Sequence, residues 1–153
     1  KELEKENVIK RIKGKNGKRA ISVLEENINN KLPFLGIIAA GYPIEVFENN
    51  EYMEVPIEYV NNENYILKVN GNSMSDDHIV DGDYVIIRKK EIAFNGDIIV
   101  ALLNNEATLK KYYLGDNGIE LHPQNSDYDI IRVKGTDSFS INGIVLAVFR
   151  KYN

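Results

Sequence analysis

From residue 51 onward, apolar and polar positions alternate or run apolar in short stretches: 65–69, 84–88, 97–103, 107–113, 118–122, 130–134 and 141–150. Alternation with a two-residue period is the mark of a strand with one face buried, because successive side chains point to opposite sides. Asn70-Gly71, Asp81-Gly82, Asn95-Gly96, Asn117-Gly118 and Asn142-Gly143 fall between or at the ends of these stretches. Such dipeptides tolerate the positive φ that tight turns need. The pattern predicts a mainly β fold, its antiparallel sheets arranged as a sandwich or a partly open barrel.

The first 32 residues read differently. Residues 1–5 look like the end of a helix, and 8–12 and 20–24 are short β-favouring runs around the turn signal Asn16-Gly17. The resulting hairpin carries Lys13, Lys15, Lys18 and Arg19 at its tip. Some 30 residues cannot bury a core alone, so this piece reads as part of another domain. The polar, Asn-rich stretch that follows reads as a linker, giving expected units of 1–24, 25–32 and 33–153. Residues 36–43, Gly-Ile-Ile-Ala-Ala-Gly-Tyr-Pro, are apolar and small, fit for a strand or for entering a narrow groove.

Composition narrows the chemistry. The chain has no cysteine, which excludes disulfides, thiolate metal sites and a Cys nucleophile. Its two histidines, His78 and His122, offer little for a metal site, and no cofactor is expected. No apolar run approaches the roughly 20 residues of a membrane helix, so a cytoplasmic protein is expected. The net charge of −4 is uneven: residues 1–19 hold eight Lys/Arg against three Glu, the rest eleven against twenty acidic residues. A basic end on an acidic body suits contact with a polyanion at that end only.

Among hydroxyl nucleophiles, Ser73 with His78 and Asp76 or Asp77 lies within six residues, too close in sequence for triad members that must converge from different elements. The acidic cluster Asp76, Asp77, Asp81 and Asp83 lacks the spacing of a calcium loop and reads as turn chemistry. A Ser–Lys pair needs a lysine on the inner face of an apolar strand, where desolvation drives the amine toward its neutral form. Lys110 in Ala107-Thr108-Leu109-Lys110-Lys111-Tyr112-Tyr113 is such a candidate, with Thr108 on the same face to orient its amine. An edge-strand lysine that merely extends to solvent is the alternative.

The segment Gly71-Asn72-Ser73-Met74 followed by Asp81-Gly82-Asp83, and then Thr108-Leu109-Lys110, resembles the motifs of LexA-type self-cleaving repressors. Ala39-Ala40-Gly41, upstream of the serine, resembles their Ala-Gly cleavage site, and the likeness covers residues 33–150. It implies a LexA/signal-peptidase-like fold in which Ser73 attacks the Ala40 carbonyl and neutral Lys110 takes its proton. Backbone N–H groups around Asn72 and Ser73 would form the oxyanion hole. These repressors open with a winged helix-turn-helix, so residues 1–24 resemble the remnant of one: a recognition-helix end and a basic wing.

The resemblance further implies a bacterial SOS-response repressor that binds operator DNA in its full-length form and forms a homodimer through C-terminal strands, here 141–150. It would be inactivated by self-cleavage at Ala40–Gly41, stimulated by the RecA filament on single-stranded DNA. A cleavage loop spanning about 35–47 would rest away from Ser73 until activated. The alternative is a dimerisation or binding module of a phage-type or mutagenesis-type relative, with vestigial or differently regulated cleavage.

Overall fold

A computed structural model describes residues 30–40 and 42–152. The expected wing, with Lys13, Lys15, Lys18 and Arg19, and most of the expected linker lie outside the described residues, as does Gly41. Nine strands follow in order: β1 (Lys31–Ala39), β2 (Glu45–Glu54), β3 (Asn64–Asn70), β4 (Tyr84–Arg88), β5 (Ile98–Leu103), β6 (Glu106–Gly115), β7 (Gly118–His122), β8 (Ile131–Arg132) and β9 (Phe139–Phe149). They form one mixed sheet of order β2-β1-β3-β4-β9-β5-β6-β7-β8.

Every pair is antiparallel except β1 with β3, so one parallel ladder interrupts the expected antiparallel order. The sheet does not split into two layers. It curls until Tyr42, just past β1, bridges Ala107 in β6, whose N–H donates to the Tyr42 carbonyl at 2.8 Å. A partly open barrel describes it better than a sandwich.

Alternation sets the core. Val85 and Ile87 of β4 and Val100 of β5 face a cluster with Ile38, Leu67, Val69, Met74, Ile79, Ala107 and Leu109. The intervening Ile86 packs with Leu32, Val55 and Ile66, and Ile99 and Ala101 pack with Tyr112, Leu121 and Ile141. Central strands thus bury both faces, which is why β4 and β5 read as continuous apolar runs.

Two boundaries differ from the sequence reading. Lys31 and Leu32 belong to β1 rather than to a linker, because Leu32 is fully buried and Asn30 accepts a backbone hydrogen bond from Val55. The expected strand at 130–134 shrinks to Ile131–Arg132, since only that pair meets β7. Most of the expected loop at 35–47 is also strand, the close of β1 and the opening of β2. These strands cross at a bulge at Gly36, where a Cβ would sit 2.0 Å from the Glu45 carbonyl oxygen.

Candidate active site

Ser73 sits in the loop after β3, and the Asp81-Gly82-Asp83 turn holds that loop in place. The Asp81 carboxylate accepts the Gly71 N–H at 2.7 Å, and the Asn72 side chain returns the bond by accepting the Asp81 N–H at 2.9 Å. Gly71 and Gly82 have φ of 118° and 91°, a conformation that strains other residues. Asp83, 1% exposed, accepts the Val80 N–H and a two-point ion pair from Arg150 at 2.8 and 2.9 Å. Arg150 also donates to the His78 carbonyl at 3.1 Å, tying the chain beyond β9 to the same turn. Asp81 and Asp83 of the acidic cluster therefore serve the turn, as its spacing suggested, while Asp77 instead pairs with Lys111 of β6.

On the other side of the loop, residues 124 and 125 complete the brace. Gln124 N–H donates to the Ser73 carbonyl and Asp76 N–H to the Gln124 carbonyl, both at 2.7 Å. The Asn125 amide donates to the Asn72 carbonyl at 2.7 Å and to Ser75 Oγ at 3.2 Å. Sequence reasoning missed Gln124, Asn125, Arg150 and the bracing role of Asp81. Each acts through a contact at least ten residues away in sequence, which local pattern does not carry.

Lys110 reaches the serine from β6. Its side chain is on the buried face, 3% exposed, and its Nζ lies 3.2 Å from Ser73 Oγ. The same nitrogen donates to Thr108 Oγ1 and to the Leu109 carbonyl at 3.1 Å. Among the described residues, no carboxylate pairs with it. Burial without a counter-charge lowers its pKa from 10.5 to about 8. A lysine at 10.4 is about 4.6 kcal/mol from its neutral form at pH 7; one near 8 is only about 1.4 kcal/mol away. Thr108 and Leu109 can take two N–H bonds from this nitrogen in either charge state, so that once it loses its proton the lone pair can face the serine hydroxyl.

Ala40, exposed at the turn after β1, lines a small cleft of about 30 Å³ together with Gly71, Asn72, Ser73 and Thr108. It also lines an adjoining pocket with Lys110 and Tyr128. The Tyr42–Ala107 bridge pins the chain just beyond it. Ala40 thus borders the serine cleft, between the end of β1 and the Tyr42–Ala107 bridge. The structure brings Ser73, Asn72, Thr108, Lys110 and Ala40 to one place. The histidines stand apart: His122 pairs with Glu120 at 2.9 Å, and His78, in the left-handed region at φ 67°, closes the turn at 75–77.

A serine hydroxyl set against a buried amine whose pKa burial has lowered, beside a cleft, is equipment for acyl transfer, and so of peptidase type. The chain belongs to the peptidase S24-like family, whose model matches residues 33–146. It is 46% identical to the LexA repressor of Syntrophotalea carbinolica over 80% of this chain, and spans 61% of that protein's length. Against the LexA repressor of Clostridium perfringens strain SM101 it is 42% identical over 99% of this chain and 76% of the relative. Against that of Thermotoga petrophila it is 40% identical over 97% and 75%. No described helix is long and apolar enough to cross a membrane.

Proposed function

We propose that this chain cuts its own Ala40–Gly41 bond and thereby inactivates a bacterial SOS-response repressor. The observation that carries the reading is the 3.2 Å approach of the buried Lys110 amine to Ser73 Oγ, beside a cleft that Ala40 lines. Neutral Lys110 takes the hydroxyl proton as Ser73 Oγ adds to the Ala40 carbonyl carbon. The resulting oxyanion is stabilised by backbone N–H groups of the Ser73 loop, each worth about 2.7–4 kcal/mol. As the C–N bond breaks, protonated Lys110 delivers its proton to the departing Gly41 nitrogen. Water, deprotonated by the same amine, then hydrolyses the Ser73 ester and frees the Ala40 carboxylate.

Cutting there breaks the covalent link between whatever precedes residue 40 and the rest of the fold, leaving β1 held only by its pairing with β2 and β3. In a dimeric repressor, the body links two DNA-binding heads and can raise their avidity 10²–10⁴-fold. Severing it releases the operator. Dimerisation through β9 is supported by its topology: from Val145 to Phe149 it pairs with β4, while no described strand pairs with its other edge. Leu146 and Val148 are exposed there. A RecA filament on single-stranded DNA would act as activator only to the extent that it favours the arrangement with Ala40 in the cleft.

The test is substitution. Ser73→Ala and Lys110→Ala should each abolish self-cleavage at every pH while the chain still melts cooperatively. Cleavage by Ser73→Ala at the unchanged rate would overturn the mechanism.

A further inference from the structure

We propose that Asn125 is a positioning residue for the self-cleavage reaction, fixing the peptide plane between Asn72 and Ser73 so that the Ser73 N–H points at the developing oxyanion. The inference deepens the proposed function and rests on Ser73 being the nucleophile. In a trans peptide, the C=O and N–H of one plane point in opposite directions. Whatever holds the Asn72 carbonyl therefore aims the Ser73 N–H. Two donors hold that carbonyl: the Asn125 amide at 2.7 Å and Ser75 N–H at 3.2 Å. The shorter bond comes from Asn125.

Its second N–H bond, to Ser75 Oγ, straddles the serine, so one side chain grips the loop on both flanks. The Asn125 Oδ1 is occupied by Asp127 N–H at 2.8 Å, which fixes which end of the amide faces the loop. The neighbouring plane is held the same way, since Gln124 N–H donates to the Ser73 carbonyl and so aims Met74 N–H. Among the described residues, neither the Ser73 nor the Met74 N–H meets an acceptor. Two adjacent N–H groups left without partners beside a nucleophile, with both their carbonyls pinned from behind, make a preorganised anion site.

The experiment compares the full chain with Asn125→Ala and Asn125→Asp by two reactions. The first is self-cleavage. The second is phosphorylation of Ser73 by diisopropyl fluorophosphate, in which Ser73 Oγ bonds to phosphorus, fluoride leaves and the hydroxyl proton passes to Lys110. That reaction develops charge on the phosphoryl oxygen but needs no docked Ala40. Asn125→Ala should slow both reactions alike, by about 10–100-fold, somewhat less than the loss of a whole oxyanion donor. The pH midpoint should stay near 8, because Lys110 remains dry. Asn125→Asp keeps the acceptor for Asp127 but donates nothing, and should be slowed at least as much.

Unchanged rates in Asn125→Ala would overturn the proposal, as would full activity of Asn125→Asp or a loss confined to self-cleavage. A midpoint drifting toward 10.5 would also overturn it, since that reports water entering a loosened site. Ser73→Ala keeps the two readings distinguishable. If it still cuts, the nucleophile assignment has failed; if it is dead while both Asn125 variants run at full rate, only the positioning role has failed.

Discussion

Lys110 and Lys111 are adjacent in β6 and point to opposite faces, and their charges are governed in opposite directions. Lys111 pairs with Asp77 at 2.9 Å, and that hydrogen bond raises its pKa. Burial without a counter-charge brings Lys110 down to about 8. Between pH 8 and 10.5 the unfolded chain holds a proton at Lys110 that the folded chain has shed, so stability rises with pH across that window. Below pH 8 the full penalty of burying the cation remains, on the order of 3 kcal/mol. Lys110→Met should therefore be inactive yet more stable than the parent at pH 7 by an amount of that order. The advantage should vanish as denaturant melts approach pH 10.5, and a variant less stable at pH 7 would contradict the desolvated amine. Lys110, Ser73 and Thr108 were legible in the sequence because motif spacing and the two-residue period of a strand bring them forward. Asn125 was not, because its contact with Asn72 spans 53 residues of chain.

At the scale of elements, the hairpin that presents Ala40 depends on a close crossing. Gly36 sits at the β1 bulge, where any side chain would strike the Glu45 backbone at 2.0 Å. Gly36→Ala should force β2 away from β1 and cost about 1–3 kcal/mol of stability, as overpacking does. Because β1 leads directly into Ala40, self-cleavage should slow more than phosphorylation of Ser73 by diisopropyl fluorophosphate; equal rates in the variant and the parent would show that the bulge does not position the segment. The sequence made β4 and β7 legible to the residue and β3, β5, β6 and β9 to within a few positions at each end, since their periodicity and turn residues agree. It misplaced the start of β1, because Lys31 and Leu32 lie in an Asn-rich context and are strand only through pairing with Met53 and Glu54. The parallel β1–β3 ladder was also invisible, since periodicity does not encode partner direction.

At the largest scale, the described residues form one curled sheet. The β1–β6 closure puts Ala40 beside the Ser73 cleft, while the open edge of β9 lies at the end that Arg150 ties to the Asp83 turn. Val148→Arg, on the exposed part of β9, should convert a dimer to a monomer in sedimentation while leaving self-cleavage intact, because serine, lysine and target belong to one chain. A variant that stays dimeric would place the interface elsewhere, and one that stops cutting would show that the site needs the second copy. The resemblance carried by residues 33–150 left a sandwich and a partly open barrel both open, and closure toward the barrel depends on the Tyr42–Ala107 pairing, which no local pattern carries.

The central claim is that the chain cuts itself at one bond through a neutral lysine, and mass measurement after incubation at about pH 10 tests it most directly. That pH lies about two units above the Lys110 pKa of about 8 and leaves the amine almost wholly uncharged without any activator. The account predicts two fragments, one ending at Ala40 and the other beginning at Gly41, forming at a rate that rises through pH 8 and then levels. An intact chain at that pH, or fragments with other ends, would contradict it.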